Sequence, residues 1–384
     1  MDRYYLDHAA TSWPKPPGSM EACIEYQQNN GATSGRGVYQ SADRASKLIM
    51  DARRMVADYI HAPSANEIAF CSNGTHALNA AIFGLLYSKR FHGSHVVTTS
   101  TEHNSVLRPL ELAVSRCGIR WTAVPCDREG VVSPERIADS VEPDTGVIIL
   151  NHASNVTGAV QDLAAISEIA RKQGAVLVLD AAQTLGYCPI DVVRDHIDVL
   201  AAPGHKGAGG MLGTGLLFVR TEWQSLMEPL WIGGTGTASD EVAGPFGWQS
   251  AVESGNVNVP AIASLKSGLQ WLTQQVADDR LGEWTRSIVD AIRSQPNLQL
   301  IGPLERRLPV VSLISQSMSC HEMAMLLDSA MRVEARSGFH CAGLIHRDLG
   351  TLSQGGTLRL SLGHTSTQAD VDAALQGIEL LGSM

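Results

Sequence analysis

Lys206, in the run Ala-Pro-Gly-His-Lys-Gly at 202–207, has the surroundings of a reactive amine. Gly204 and Gly207 relax the backbone on either side of it. A lysine presented this way can condense with an aldehyde, leaving the preceding turn and His205 to address a phosphate. Upstream, Asp180 ends the apolar run Ala-Val-Leu-Val-Leu-Asp, and Gln183 follows three residues later. A carboxylate at the C-terminal end of a buried strand can keep a pyridine nitrogen protonated, and Gln183 can donate to a phenolate oxygen. Alone, Asp180 would serve equally as the cap of the next helix. Combined with Gln183 and Lys206, it points to pyridoxal 5'-phosphate (PLP), an aldehyde that has all three needs.

The phosphate of such a cofactor requires backbone N–H groups at a helix start. Ser72-Asn73-Gly74-Thr75-His76 supplies them between a strand and a helix, although the same residues also read as a plain helix cap. His103, in Thr-Glu-His-Asn, follows another strand end and can stack on a ring; a lone histidine is as readily a packed core or surface residue. Asn155, in Ala-Ser-Asn-Val-Thr-Gly, is a candidate of the same kind. Cys341 stands in Ala-Arg-Ser-Gly-Phe-His-Cys-Ala-Gly at 335–343, where Gly338 and Gly343 suggest a mobile loop and Arg336 and His340 can help hold a thiolate. The other readings of this stretch are a buried loop cysteine and a zinc set of His340, Cys341 and His346, the latter lacking a second ligand cluster of usual spacing. Arg359, in Thr-Leu-Arg-Leu-Ser-Leu, suits bidentate capture of a carboxylate, or else is an edge-strand charge facing solvent.

These residues need a frame. Short apolar runs at 67–71, 95–99, 120–124, 147–151, 175–180 and 197–201 read as strands. Helical patterns near 75–87, 104–116 and 161–173 lie between them, which argues for an α/β fold with a mostly parallel sheet covered on both faces. Residues 213–220 would add a strand that is a candidate to run antiparallel. An amphipathic helix is expected over 42–60, and a longer one from Pro260 to about Gln275 as a link between domains. The glycine-rich stretch at 233–248 is too long for a simple connector. Beyond 297 the pattern is α+β: strands at 297–301, 309–314, 331–335 and 357–362, helices at 320–329 and 368–380.

The whole chain sets the outer limits. Its 384 residues suffice for about two domains, and 44% hydrophobic with 18% charged residues is globular composition. A net charge of −10 argues against nucleic acid as a partner. No apolar run has the length of a membrane helix, and the N-terminus lacks the pattern of a secretory signal. Seven scattered cysteines without a CxxC pair fit reduced thiols and a cytoplasmic location.

In order along the chain, Tyr5-Leu-Asp-His-Ala-Ala10, Gly35-Arg-Gly37, Thr101-Glu-His103, Ser154-Asn-Val156, Asp180-Ala-Ala-Gln183 and Gly204-His-Lys206 resemble the class V aminotransferase-like PLP family. The likeness is greatest to its cysteine desulfurase and selenocysteine lyase branch. Arg336-Ser-Gly-Phe-His-Cys341, with Leu349-Gly-Thr351 and Thr357-Leu-Arg-Leu-Ser361, is similar to the short-loop group. The resemblance implies PLP-dependent transferase fold type I: a large domain over 19–258 with a seven-stranded, mostly parallel sheet, and a small α+β domain made of 1–18 and 259–384. It implies Lys206 as Schiff-base lysine, Asp180 at the pyridine nitrogen, Gln183 and Asn155 near the phenolate oxygen, and His103 on the ring. Gly74, Thr75 and His205 would meet the phosphate, completed by Asn256 from the partner of a homodimer. Arg359, with Ala9 and Arg336, would meet the substrate, and Cys341 would accept sulfur. The implied reaction removes sulfur from L-cysteine, leaving L-alanine and a Cys341 persulfide for a possible acceptor protein. The alternatives are a lyase for selenocysteine or another cysteine derivative, and a non-catalytic sulfur-relay scaffold. No metal is implied. The chain departs from the family pattern at Pro203, Asn256 and residues 364–367.

Overall fold

The computed structural model describes residues 3–35, 37–234, 242, 247–275 and 279–384. Arg36 and most of the glycine-rich stretch (235–241 and 243–246) lie outside the described residues. Thirteen strands occur among them: β1 Tyr4–Tyr5, β2 Ile68–Cys71, β3 His95–Thr99, β4 Arg120–Val124, β5 Thr145–Asn151, β6 Val176–Asp180, β7 Val199–Pro203, β8 Gly215–Val219, β9 Leu298–Ile301, β10 Val310–Ser315, β11 Val333–Glu334, β12 Arg336–Gly338 and β13 Thr357–Ser361. The helices are α1 Ser19–Asn29, α2 Gln40–Tyr59, α3 Gly74–Leu86, α4 Asn104–Cys117, α5 Pro134–Asp139, α6 Leu163–Gln173, α7 Trp248–Val252, α8 Val259–Thr273, α9 Arg280–Arg293, α10 Cys320–Leu326, α11 Ile345–Leu349 and α12 Gln368–Gly382.

Seven strands form one sheet in the order β2-β8-β7-β6-β5-β3-β4. Only β8 runs against the rest: it pairs antiparallel with both β2 and β7, so β2 keeps the direction of the parallel strands. The central strands β5, β6 and β7 are buried at every position and largely apolar because both faces are covered, and successive side chains enter opposite layers. Val147 and Ile149 of β5, with Val176 and Val178 of β6, pack beneath α3 and α4. Ile148, Leu150, Leu177 and Leu179 pack on the other face against Ala45, Ile49 and Val56 of α2 and Ile166 of α6. The helix read from the sequence as a link, α8, puts Ile262, Leu265 and Leu269 into this second layer and lies along α1 and α2.

The second, antiparallel sheet has the order β12-β13-β10-β9 and shares a core with α9, α10 and α12. The single strand expected at 331–335 is instead two. β11 pairs with β1, and β12 pairs with β13, after Arg332 takes a left-handed φ of 56° at the end of a π turn over 327–331. The apolar alternation carries through this stretch, so periodicity could not show that the chain changes partners there. After β1, the N-terminal segment runs beside β13 of the smaller sheet, with Asp7 bridging to Ser361 and Ala9 N–H donating to Ser361 Oγ, before Ser12 N–H reaches the His205 carbonyl.

Candidate active site

Parallel strands present all their C-terminal ends on one edge, and five of them do so here. β2 leads into Gly74, β3 into His103, β5 into Asn155, β6 ends at Asp180, and β7 leads into Lys206. The resulting cavity of about 180 Å³ is lined by Gly74, Thr75, His103, Asn155, Asp180, Gln183, His205 and Lys206. Those eight expectations converge. Asn73, Leu78, Ser105, Asn151, Ala182 and Pro203 complete the lining. The sequence reads Asn73 as part of the phosphate turn and Pro203 as a departure from the family pattern, and gives the other four no role at the site.

Lys206 Nζ makes no hydrogen bond among the described residues. Burial, opposed by the nearby Asp180 charge, lowers its pKa to about 8. Asp180 is buried, and the same desolvation raises its carboxyl to about 6. Its Oδ1 also accepts from Ala182 N–H at 2.8 Å, but this closes a turn: no helix lies between β6 and β7 among the described residues, so Asp180 caps none and the expectation of a helix cap fails. Behind it, fully buried Glu102 is pushed to about 8, first by desolvation and then by Asp180. Its Oε1 takes the Asn151 N–H at 2.8 Å while Oε2 is unpartnered.

Asn73 caps α3 by accepting from His76 N–H, leaving the first N–H groups of that helix to face the cavity. Thr75 Oγ1 lies 2.7 Å from Ser105 Oγ. A Cβ on Gly74 would come within 3.1 Å of the Pro203 ring, so a side chain there would need the ring to give by a few tenths of an ångström. His103 Nδ1 accepts from Ser105 N–H at 3.0 Å, which puts the ring proton on Nε2. Burial, reinforced by Lys206, holds this histidine neutral with a pKa near 4. His205 is likewise lowered to about 4 by burial and by Lys206. Gln183 spends one N–H on the Ala9 carbonyl at 3.0 Å. Ala9 thus lies behind the cavity rather than in its lining.

The cysteine loop is tied down at the rim. Cys341 is exposed, its carbonyl accepts from Asn104 N–H at 2.7 Å, and the His340 carbonyl accepts from Asn155 Nδ2 at 2.7 Å. His340 and Cys341 both take positive φ, 50° and 57°. Such a pair costs on the order of 1 kcal/mol per residue and persists because the tethers over-determine it. His340, offered by the sequence as a helper for a thiolate, is buried and bonded through Nε2 to Thr357 Oγ1 at 2.9 Å. Burial, and then the Arg359 charge, take its pKa down to about 2, so it supplies no positive charge.

Arg359 is 2% exposed rather than on a solvent-facing edge. Nη2 bonds Asp7 Oδ1 at 2.6 Å, Nη1 bonds the Asn155 carbonyl at 2.9 Å, and buried Nε is unpartnered. Arg336, half exposed, holds the other oxygen of Asp7 at 2.9 Å. Asp7 therefore bridges both arginines. It belongs to a motif already singled out, but only its partners reveal the role. Asn256 is not part of this cavity; it lines neighbouring hollows with Glu253 and Val257.

The residues fit PLP on three structural grounds: a free amine and a buried carboxyl in one cavity, helix N–H groups on a side-chain-free turn, and the buried, unpartnered Asn155 Oδ1. The family model for aminotransferase class-V matches residues 4–374. The chain belongs to this family. Among its relatives in the class-V family, a probable cysteine desulfurase of Methanothermobacter thermautotrophicus is 32% identical, the match covering 100% of this chain and 96% of that protein. Cysteine desulfurase IscS of Methanosarcina thermophila is 29% identical over 97% and 90%. Among solved structures, the apo cysteine desulfurase of Thermococcus onnurineus NA1 superposes with a TM-score of 0.87 at 29% identity, covering 100% of this chain and 95% of that one. The cysteine desulfurase CsdA of Escherichia coli also gives 0.87, at 25% identity, covering 99% and 94%. The class-V chain thus has the type I fold of PLP-dependent transferases. Its seven cysteines are unpaired, and no described helix is long and apolar enough to cross a membrane.

Proposed function

We propose that this protein is a PLP-dependent cysteine desulfurase that releases L-alanine from L-cysteine and carries the sulfur on Cys341. The observation that carries this reading is the exposed Cys341, tethered at the rim of the cavity that holds Lys206 by bonds from Asn104 and Asn155. PLP, when bound, supplies an electron sink for the bond broken at the substrate's α-carbon. Lys206 Nζ would hold its aldehyde carbon and Asp180 would face its ring nitrogen. Gln183 and Asn155 would flank the phenolate oxygen, and His103 would cover the ring. Gly74, Thr75 and His205 would address the phosphate, joined by Asn256 from a second copy in a homodimer.

The substrate carboxylate would go to Arg359, whose Nε is uncommitted, with Arg336 beside it across Asp7. In the ligand-free cavity Lys206, with a pKa near 8, is about a quarter neutral at pH 7.5, so the amine would be a ready base once the substrate's own amino group has freed it from the aldehyde carbon. The neutral amine takes the α-proton at Nζ. Cys341 Sγ then takes the substrate sulfur. The C–S bond breaks with its electron pair left on the carbon skeleton, which takes one proton at Cβ, recovers the α-proton from Lys206 Nζ and leaves as alanine. The persulfide on Cys341 passes to a thiol or an acceptor protein. The test is incubation of the PLP-loaded protein with L-cysteine. Alanine and a Cys341 persulfide are expected, with Cys341→Ser losing both while keeping the visible absorbance of bound PLP. Pyruvate and ammonia in place of alanine, or undiminished desulfuration by Cys341→Ser, would overturn the assignment.

A further inference from the structure

The peptide that joins His205 to Lys206 is gripped from an unexpected direction. Its carbonyl oxygen, belonging to His205, faces four donors from the N-terminal segment: Ser12 N–H at 3.0 Å, Ser12 Oγ and Thr11 Oγ1 at 3.1 Å each, and Lys15 Nζ at 2.8 Å. A carbonyl has two lone pairs, so these donors share it. The ammonium is both the nearest and the only charged one, which makes it the strongest. Lys15 also donates to Ser12 Oγ at 3.0 Å and reaches Thr11 Oγ1 at 3.5 Å. No carboxylate pairs with Lys15 among the described residues, and burial lowers its pKa to about 8. A half-buried cation without a counter-ion is costly to place, and here its donors converge on the His205 carbonyl and its immediate neighbours.

Two further contacts bind the same segments. His205 Nδ1 lies 3.0 Å from Thr11 Oγ1, so the orientation of the ring is set by a residue that also touches its carbonyl. Gly209 takes φ +72°, and a Cβ there would meet the Pro16 ring at 2.6 Å, so the loop after Lys206 lies directly on the segment carrying Lys15.

We propose that Lys15 is a positioning residue: a cationic clamp on the His205–Lys206 peptide that aims Lys206 Nζ and the His205 ring into the cavity. It rests on the reading of Lys206 as the residue that holds PLP. Lys15 does not touch the cavity; it acts through the backbone. The test uses the PLP-loaded wild type, Lys15→Met and Lys15→Arg. Lys15→Met should bind PLP about ten-fold or more weakly, the worth of one hydrogen bond to a charged group, and should move the pH midpoint of the visible absorbance of bound PLP. Lys15→Arg, which keeps a charged donor, should restore both to within about three-fold and a few tenths of a pH unit. A Lys15→Met protein with wild-type PLP affinity and midpoint would overturn the clamp. So would an equal loss in both variants accompanied by an equal fall in the melting temperature of the PLP-free proteins, which would mark Lys15 as a packing residue only. A wild type without any PLP-dependent visible band would instead sink the reading of Lys206 itself, a result distinct from failure of the clamp.

Discussion

Replacing Lys206 by Met should stabilise the ligand-free protein, by an amount that depends on pH. The lysine falls from an ordinary 10.5 to about 8, chiefly through desolvation. A fall of about 2.5 units corresponds to about 3.4 kcal/mol, the cost of keeping the protonated amine in the cavity relative to the unfolded chain. Because the folded pKa is the lower one, the cost is felt in full below about pH 8. It is relieved as pH rises toward 10.5, where the unfolded state still binds a proton that the folded state has released. The stability difference between Lys206→Met and wild type should therefore be about 3 kcal/mol larger at pH 7 than its high-pH limit. By pH 9.5 this excess should have fallen to about 1.4 kcal/mol. Denaturant unfolding of both ligand-free proteins at the two pH values measures it, and taking the difference cancels the titrating groups that do not sense Lys206. Asp180, His103 and His205, which do, titrate near 6, 4 and 4, below the window compared. A gap that does not change with pH would refute desolvation of Lys206, and with it the ready supply of neutral amine.

Two further outcomes follow from the same geometry. Asp7→Asn leaves fully buried Arg359 facing a neutral amide, and should cost on the order of 3 kcal/mol in denaturant unfolding; an unchanged midpoint would mean that the Asp7 bridge carries no stability. Gly207→Ala would drive a Cβ into the Leu185 carbonyl and the Tyr187 ring, so the lysine loop must shift. Its reading is at least a hundred-fold loss of alanine formation with α-helical circular dichroism retained, and wild-type turnover would show that the loop tolerates displacement.

Much of the site was legible because its residues follow strand ends, and strand ends can be read from runs of apolar residues. Gly74, His103, Asn155, Asp180 and Lys206 each stand just beyond or at the end of such a run, and parallel pairing carries all five to one edge. Residues beside the site were harder to read. Ser105 and Pro203 line the cavity, yet each has the composition of an ordinary cap or strand end. Glu102 was visible only as the neighbour of His103; its altered acidity comes from being sealed behind Asp180. The charge that Cys341 was expected to draw from His340 is missing for a similar reason, since burial outweighs residue type.

The sequence by itself determined the alternation of strands and helices, the two-faced burial of the central strands and the set of groups available for chemistry. All of these depend on side-chain pattern within a dozen neighbouring residues. Only the tertiary structure decided which groups act on one another. Asp7 reaches Arg359 across 352 positions, Lys15 reaches the His205 carbonyl across 190, and Asn155 holds the cysteine loop across 185. No local pattern encodes such pairings. They arise because the N-terminal segment pairs with β11 through β1, bridges to β13 at Asp7 and then lies against the lysine loop, bringing a carboxylate and an ammonium to places their own neighbours never indicated.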